Sequence, residues 1–200
     1  MFQLTRPKTE TIREWALSLE EAPFNYSEHP LFGEREIRGY DHSHVSVEMG
    51  EGVATFEAGQ TAFREWKMFP SEMVDLVPLR DEISIGNIVT VVARGGGLWS
   101  YNACRIFEVI NNDSDTESLY GFTYATLPGH VARGEERFLL RYDRTTGKVF
   151  YEIEVYSRPD HWLVKMIAPY FRFVQRKFRR LSQQAIKRAI QSSRDVSAVR

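Results

Sequence analysis

The sequence predicts an α+β protein in which a curved antiparallel β-sheet grips a long C-terminal amphipathic helix, with further helices near the N-terminus. Three observations lead there. Residues 88–156 divide into apolar, β-branched and aromatic runs joined by turns of a few residues; connections that short force neighbouring strands to be antiparallel, because a parallel crossover needs roughly a dozen residues or more. Residues beyond 157 repeat apolar side chains at helical spacing. Composition supplies a core, with 42% apolar and 13% aromatic residues among 200, and the single cysteine, Cys104, allows no internal disulfide, so burial has to hold the fold. One domain is expected over residues 1–192, followed by a frayed tail at 193–200.

Taken in order, Thr9 to Leu19 places Ile12, Trp15, Ala16 and Leu19 on one stripe, an amphipathic helix that Thr9 or Thr11 can cap. Residues 22–41, with Pro23, Pro30, Gly33 and Gly39, read as a long irregular connection. Val45 and Val47 alternate with polar residues in a short strand before Gly50-Glu51-Gly52. A second helix is expected from Thr55 to Lys67 and is stopped by Pro70. Strands follow at 88–93, 98–110, 119–126, 131–142 and 148–156, punctuated by Gly95-Gly96-Gly97, Asn111 to Asp115, Pro128-Gly129 and Thr145-Thr146-Gly147. Ser157-Arg158-Pro159-Asp160 is a helix-start signal. Beyond it Leu163, Ile167, Tyr170, Val174, Phe178, Leu181 and Ala185 form the apolar stripe, opposite Lys165, Arg172, Arg176, Arg179, Arg180 and Lys187. Pro169 predicts a kink by pressing on the Lys165 carbonyl.

Charge divides the chain. Residues 1–160 hold 16 basic and 26 acidic side chains, and residues 161–200 hold 10 basic and one acidic, so a net of −1 conceals an acidic body and a basic helix. That helix face either pairs with the acidic body, the expected outcome, or acts on an anionic surface, where a weak membrane contact is the alternative and nucleic acid the less expected partner. No apolar run reaches the ~20 residues of a membrane span, and MFQLTRPKTE is no secretory signal, so a cytoplasmic protein is expected.

The segments FTYATLPGHVARGEERF at 122–138 and SRPDHWLVKMIAPYFRFVQRKF at 157–178 resemble the bacterial and plant family called domain of unknown function 1990. GEGVATF at 50–56 and the helix ending in Trp66 resemble its N-terminal half, and Ala125 stands where that family usually has Gly. The resemblance covers nearly the whole chain. It implies neither a reaction nor a ligand, but the family's order of strands and final helix is similar to START-like lipid-binding folds.

Strand parity nominates the site. Glu136 shares a face with Phe138 and Leu140, whereas Glu135, Arg137 and Arg141 point away. A carboxyl against an apolar wall resists ionising, and His130 at the preceding turn can share its proton, so Glu136 and His130 are the candidate acid–base pair. The alternatives are a buried ion pair between Glu136 and Arg105, or a bulge at Gly134 that turns Glu136 to solvent. Tyr101, Arg105, Tyr120, Phe122, Tyr124, His130 and Glu136 are the candidate ligand-binding residues. His42 and His44, with His29 upstream, offer two imidazoles on one strand face but no third ligand at a fixed spacing, so no metal is assigned, and no cofactor motif is present. Cys104 reads as a small buried thiol. The expected function is to hold an apolar or amphipathic small molecule between sheet and helix; the alternatives are an enzyme using Glu136 with His130 or Tyr124, and a peripheral binder acting through the basic helix face. A flat, cavity-free packing of helix on sheet is the competing arrangement.

Overall fold

The computed structural model describes residues 2–33, 37–95, 97–160 and 168–198. Its elements are β1 (Phe2–Gln3), α1 (Thr9–Leu17), β2 (Asp41–Glu51), α2 (Val53–Arg64), β3 (Val74–Pro78), β4 (Ile88–Gly95), β5 (Leu98–Asp113), β6 (Glu117–Thr126), β7 (Ala132–Asp143), β8 (Lys148–Pro159) and α3 (Ala168–Ala198). The strands form one antiparallel sheet in the order β2-β8-β7-β6-β5-β4-β3. Strand β1 pairs with the start of β5, placing Phe2 opposite Ser100 on an edge that β6 has left, since β6 first meets β5 at Cys104.

The inner face of the sheet carries the main core. Cys104, Ile106, Phe122, Phe138, Leu140, Tyr151 and Ile153 pack beneath Phe56 and Phe63 of α2 and Ile186 and Ile190 of α3. The Tyr151 and Ser182 hydroxyls, buried between sheet and α3, lie 2.7 Å apart and satisfy each other. This is the helix-grip arrangement that the sequence predicts, with a cleft left between α3 and the sheet. The outer face is covered as well: Ala16 and Leu19 sit on Ile88 and Ala103, Ile12 sits on Val92 and Tyr101, and Tyr26 and Leu31 sit on Ala125. Burial on both faces accounts for the apolar character of β4 at every position from Ile88 to Val92 except Thr90.

Several elements differ from expectation. Strand β2 is eleven residues long and forms an edge of the sheet, paired with β8 from Asp41–Ser157 to Glu51–Lys148. Its polar outward positions, His42, His44 and Ser46, concealed a strand whose inner positions are Val45 and Val47. No side chain caps α1, whose N-cap is Lys8. Helix α2 starts at Val53 and ends because Trp66 adopts a left-handed φ of 57°, with the Lys67 amide closing on the Ala62 carbonyl at 2.9 Å; Pro70 lies beyond this stop. The Trp66 indole holds that conformation by donating to the Asp81 carbonyl at 2.8 Å.

Ser157 to Pro159 belong to β8, opposite Gly134 to Ala132, so the helix-start signal is in fact a strand end. Asp160 pairs with Arg133 at 2.6 Å, and the Ser157 hydroxyl accepts from the Gln175 amide at 3.2 Å. The stripe positions Leu163 and Ile167, and the Lys165 carbonyl behind the expected kink, lie outside the described residues. Helical backbone continues to Ala198, so residue 192 is not marked by a break. Two ion pairs join the basic helix to the acidic body, Arg172–Asp41 at 3.0 Å and Arg188–Glu72 at 3.1 Å. Among the described residues no helix is long and apolar enough to cross a membrane.

Two glycines set how closely the central strands approach. A Cβ on Gly121 would run into the Phe138 carbonyl oxygen, and one on Gly134, whose φ is 147°, would run into that of Tyr156. Gly121→Ala should therefore cost about 3 kcal/mol by overpacking. Gly147→Ala, in open space at a φ of 71°, should cost only the left-handed penalty, about 1 kcal/mol. Urea midpoints of the two variants measure the difference, and equal losses would refute the close-approach account.

Candidate functional site

Between α3 and the inner face lies a cleft of about 180 Å³. Phe69, Val74, Val91, Val155, Val174 and Phe178 supply apolar walls, and Asn102, Tyr124, His130, Glu136, Gln175 and Arg179 supply polar groups. It runs on into a groove of about 210 Å³ beside Ser43, Ser157, Arg172 and Arg176, with Val155, Gln175 and Arg179 common to both.

Glu136 faces this cleft because β7 alternates strictly from Gly134 to Leu140, which pair in unbroken register with β8. Tyr124 lies directly opposite on β6, and its hydroxyl donates to Glu136 Oε2 at 2.6 Å. Burial pushes the Glu136 carboxyl up to about 7, against the opposing pull of the Tyr124 hydrogen bond and the Arg179 charge. Burial and the neighbouring Glu136 also raise the Tyr124 phenol well above its ordinary value. His130 sits at the cleft edge, where desolvation lowers its imidazole to about 4. His130 Nδ1 lies 2.9 Å from the Ala132 amide nitrogen and 3.0 Å from the Ala132 carbonyl oxygen, so Ala132 can satisfy it as acceptor or as donor. Glu136 and His130 share the cleft without a hydrogen bond between them, so direct proton sharing is not built into the resting geometry.

The remaining candidates separate. Arg105 is on the outer face, where Nη2 donates to the carbonyls of Leu19 at 2.6 Å and Ala22 at 2.8 Å, so it is no partner for Glu136. Tyr101 is likewise outside, packed edge-on against Trp15 at 4.9 Å. Phe122 is fully buried among Phe63, Trp66 and Phe138, which makes it core rather than lining. Tyr120 lies on the inner face toward α2, against Phe63 and Arg64, away from the cleft. Tyr124, His130 and Glu136 are the three predicted residues that the structure brings to one cleft. His42 and His44 pair with Glu154 at 2.9 Å and Glu152 at 3.1 Å. Cys104 is buried, and burial raises its thiol well above the ordinary value.

Two residues escaped the sequence reading. Arg179 was placed on the solvent side of the helical wheel, yet it is half-buried and faces the cleft beside Phe178. Glu135 points away from the core, as parity requires, but its side chain is 0% exposed because residues 22–33 cover it. Tyr26 Oη donates to Glu135 Oε1 at 2.6 Å, His29 Nδ1 lies 2.7 Å from the same oxygen, and the Leu31 amide donates to both oxygens at 3.0 Å. The loop is pinned again where the Asn25 amide donates to the Thr126 carbonyl at 3.2 Å and the Thr126 hydroxyl donates to Asn25 Oδ1 at 2.5 Å. The available signal was the apolar content of the loop, since Phe24, Tyr26, Leu31 and Phe32 are too hydrophobic for a solvated connection.

Comparison with known proteins agrees with this architecture. Residues 26–185 match the family model described as domain of unknown function (DUF1990), and the chain belongs to that family. A UPF0548 protein of Dictyostelium discoideum is 28% identical over 218 residues and spans 100% of both chains. Among solved structures, a Thermus thermophilus protein superposes with a TM-score of 0.52 at 7% identity, covering 76% of this chain and 99% of its own. Norcoclaurine synthase from Thalictrum flavum superposes with a TM-score of 0.50 at 12% identity, covering 83% and 98%. The fold is the START-like helix-grip.

Glu136 holds its proton to about pH 7 when folded and to about 4.5 when unfolded, so the folded chain binds more protons across that window. Wild type should therefore lose stability relative to Glu136→Gln as pH rises from 4.5 to 7, by about 2 kcal/mol. Urea midpoints at both ends of the window measure this, and a gap that stays constant with pH would exclude a raised Glu136 pKa. On the outer face, Glu135→Ala removes the acceptor for three buried or half-buried donors and should cost about 3 kcal/mol. Amide exchange should then accelerate first in residues 22–33; a uniform acceleration across the sheet would contradict a local latch.

Proposed function

We propose that the protein binds an apolar or amphipathic small molecule in the cleft between its sheet and α3. The observation that carries this reading is the convergence of Tyr124, His130, Glu136 and Arg179 on a concave space whose other walls are apolar. Binding sites for small molecules have this composition: apolar walls for affinity and a few placed polar groups for orientation. The norcoclaurine synthase of similar fold holds dopamine and hydroxybenzaldehyde, which supports the frame as one able to hold small aromatic molecules. The reading suits a cytoplasmic protein, as the sequence expects.

A second reading, acid–base catalysis, is favoured by one specific observation. Burial raises the Glu136 carboxyl to about 7, and Oε1 has no hydrogen bond to any described residue, while Tyr124 holds Oε2. A group poised near the working pH with an open oxygen can accept or deliver a proton.

Native mass spectrometry of gently purified protein tests the first reading. A copurifying small-molecule mass is expected in wild type, and it should be absent from Val174→Trp, which fills the cleft from α3. A folded wild type with no bound mass, whose melting temperature responds to no member of a broad ligand panel, would count against it.

A further inference from the structure

The cleft contains a guanidinium with no hydrogen bond or ion pair to any described residue. It belongs to Arg179, half-buried at the junction of cleft and groove. A buried charge left unpaired is costly, and an acceptor that reaches it recovers that cost. Arg176 lines the same groove three residues earlier, exposed and also without an ion pair among the described residues. The two cations repel each other.

The other basic side chains at the groove already have partners. Arg172 is held by both oxygens of Asp41 at 3.0 Å, and His42 Nε2 lies 2.9 Å from Glu154. Across the cleft, Glu136 acts on Arg179 through space but makes its own hydrogen bond to Tyr124. Val155 continues as a common wall from the groove into the apolar cleft. A planar guanidinium matches a group with two or three oxygens, which a single carbonyl does not provide.

We propose that the occupant of the cleft is an amphipathic organic anion, with its carboxylate, sulfonate or phosphate group on Arg179 and Arg176 and its apolar body beneath Val174 and Phe178. This rests on the ligand-binding reading above and names the class of molecule that the site takes.

Two fluorescent probes that differ by one charged group test it: 8-anilinonaphthalene-1-sulfonate and the neutral N-phenyl-1-naphthylamine. Wild type should bind the sulfonate more tightly than the amine by about tenfold or more, the worth of a charge-assisted contact in a partly desolvated site. Arg179→Met should bring that ratio to about threefold or less while the amine binds as before, and Arg176→Met, at an exposed position, should lower it less. Circular dichroism checks each variant, and Arg179→Gln gives the same reading if Arg179→Met fails to fold. A ratio near one in wild type, or a preference for the sulfonate that survives loss of Arg179, overturns the anion assignment and leaves the cleft reading standing. Val174→Trp should weaken both probes; if it weakens neither, the cleft itself is not their site and both readings fall.

Discussion

Strand β7 sends two neighbouring carboxylates to opposite faces of the sheet, and both faces are covered. Much else in the structure follows from that constraint. Each carboxylate meets a tyrosine hydroxyl at 2.6 Å, Tyr26 on Glu135 and Tyr124 on Glu136. Their outcomes differ because the outer carboxylate also receives the Leu31 amide and faces the His29 ring. Glu135 is a satisfied buried acceptor, and a satisfied buried polar network fixes the segments that supply its donors. Here it fixes residues 22–33, together with the Asn25–Thr126 and Arg158–Glu28 contacts. Among the described residues Glu136 receives one hydrogen bond, from Tyr124 to Oε2, and its side chain lines the cleft.

The same asymmetry accounts for a cleft that stays open. Toward its C-terminal end α3 is held tightly, by Ile186 and Ile190 in the main core and by Ser182 against Tyr151. Around Val174 to Arg179 the helix faces Glu136 and His130, and closing it onto the sheet would strip water from a carboxyl, an imidazole and an unpaired guanidinium together. Apolar collapse around Phe178 is thus opposed by the desolvation of these three groups.

What the sequence revealed and what it hid divide along the same line. Strand alternation put Glu136 on the inner face of β7 with Phe138 and Leu140, because a period of two is local and no other element alters it. It could not tell that Arg105 and Tyr101 belong to the opposite face from Glu136, because parity within β5 says nothing of its register against β6. That register also shifts between Ile106 and Glu108. The start of the last helix was misread because Ser157 and Asp160 have capping chemistry, yet pairing with β7 claims the backbone through Pro159. Glu135 and Arg179 were missed for a common reason: their burial is imposed by segments distant in sequence, so no local pattern records it.

The ordering of proton affinities in the cleft bears on which chemistry it can support. Near neutral pH the His130 imidazole is uncharged, since burial lowers it to about 4, and its Nδ1 is engaged by the Ala132 backbone. It is therefore a poor source of protons at that pH. Tyr124 is held protonated and hydrogen-bonded to the carboxyl. Glu136, near its midpoint at about 7, is the one group of the three that exchanges a proton at little cost. Arg179 favours the ionised carboxyl through space, and an anionic ligand on Arg179 would weaken that influence and favour the protonated form. The proposed anion on Arg179 and a proton on Glu136 would therefore each favour the other, because both act through the same charge.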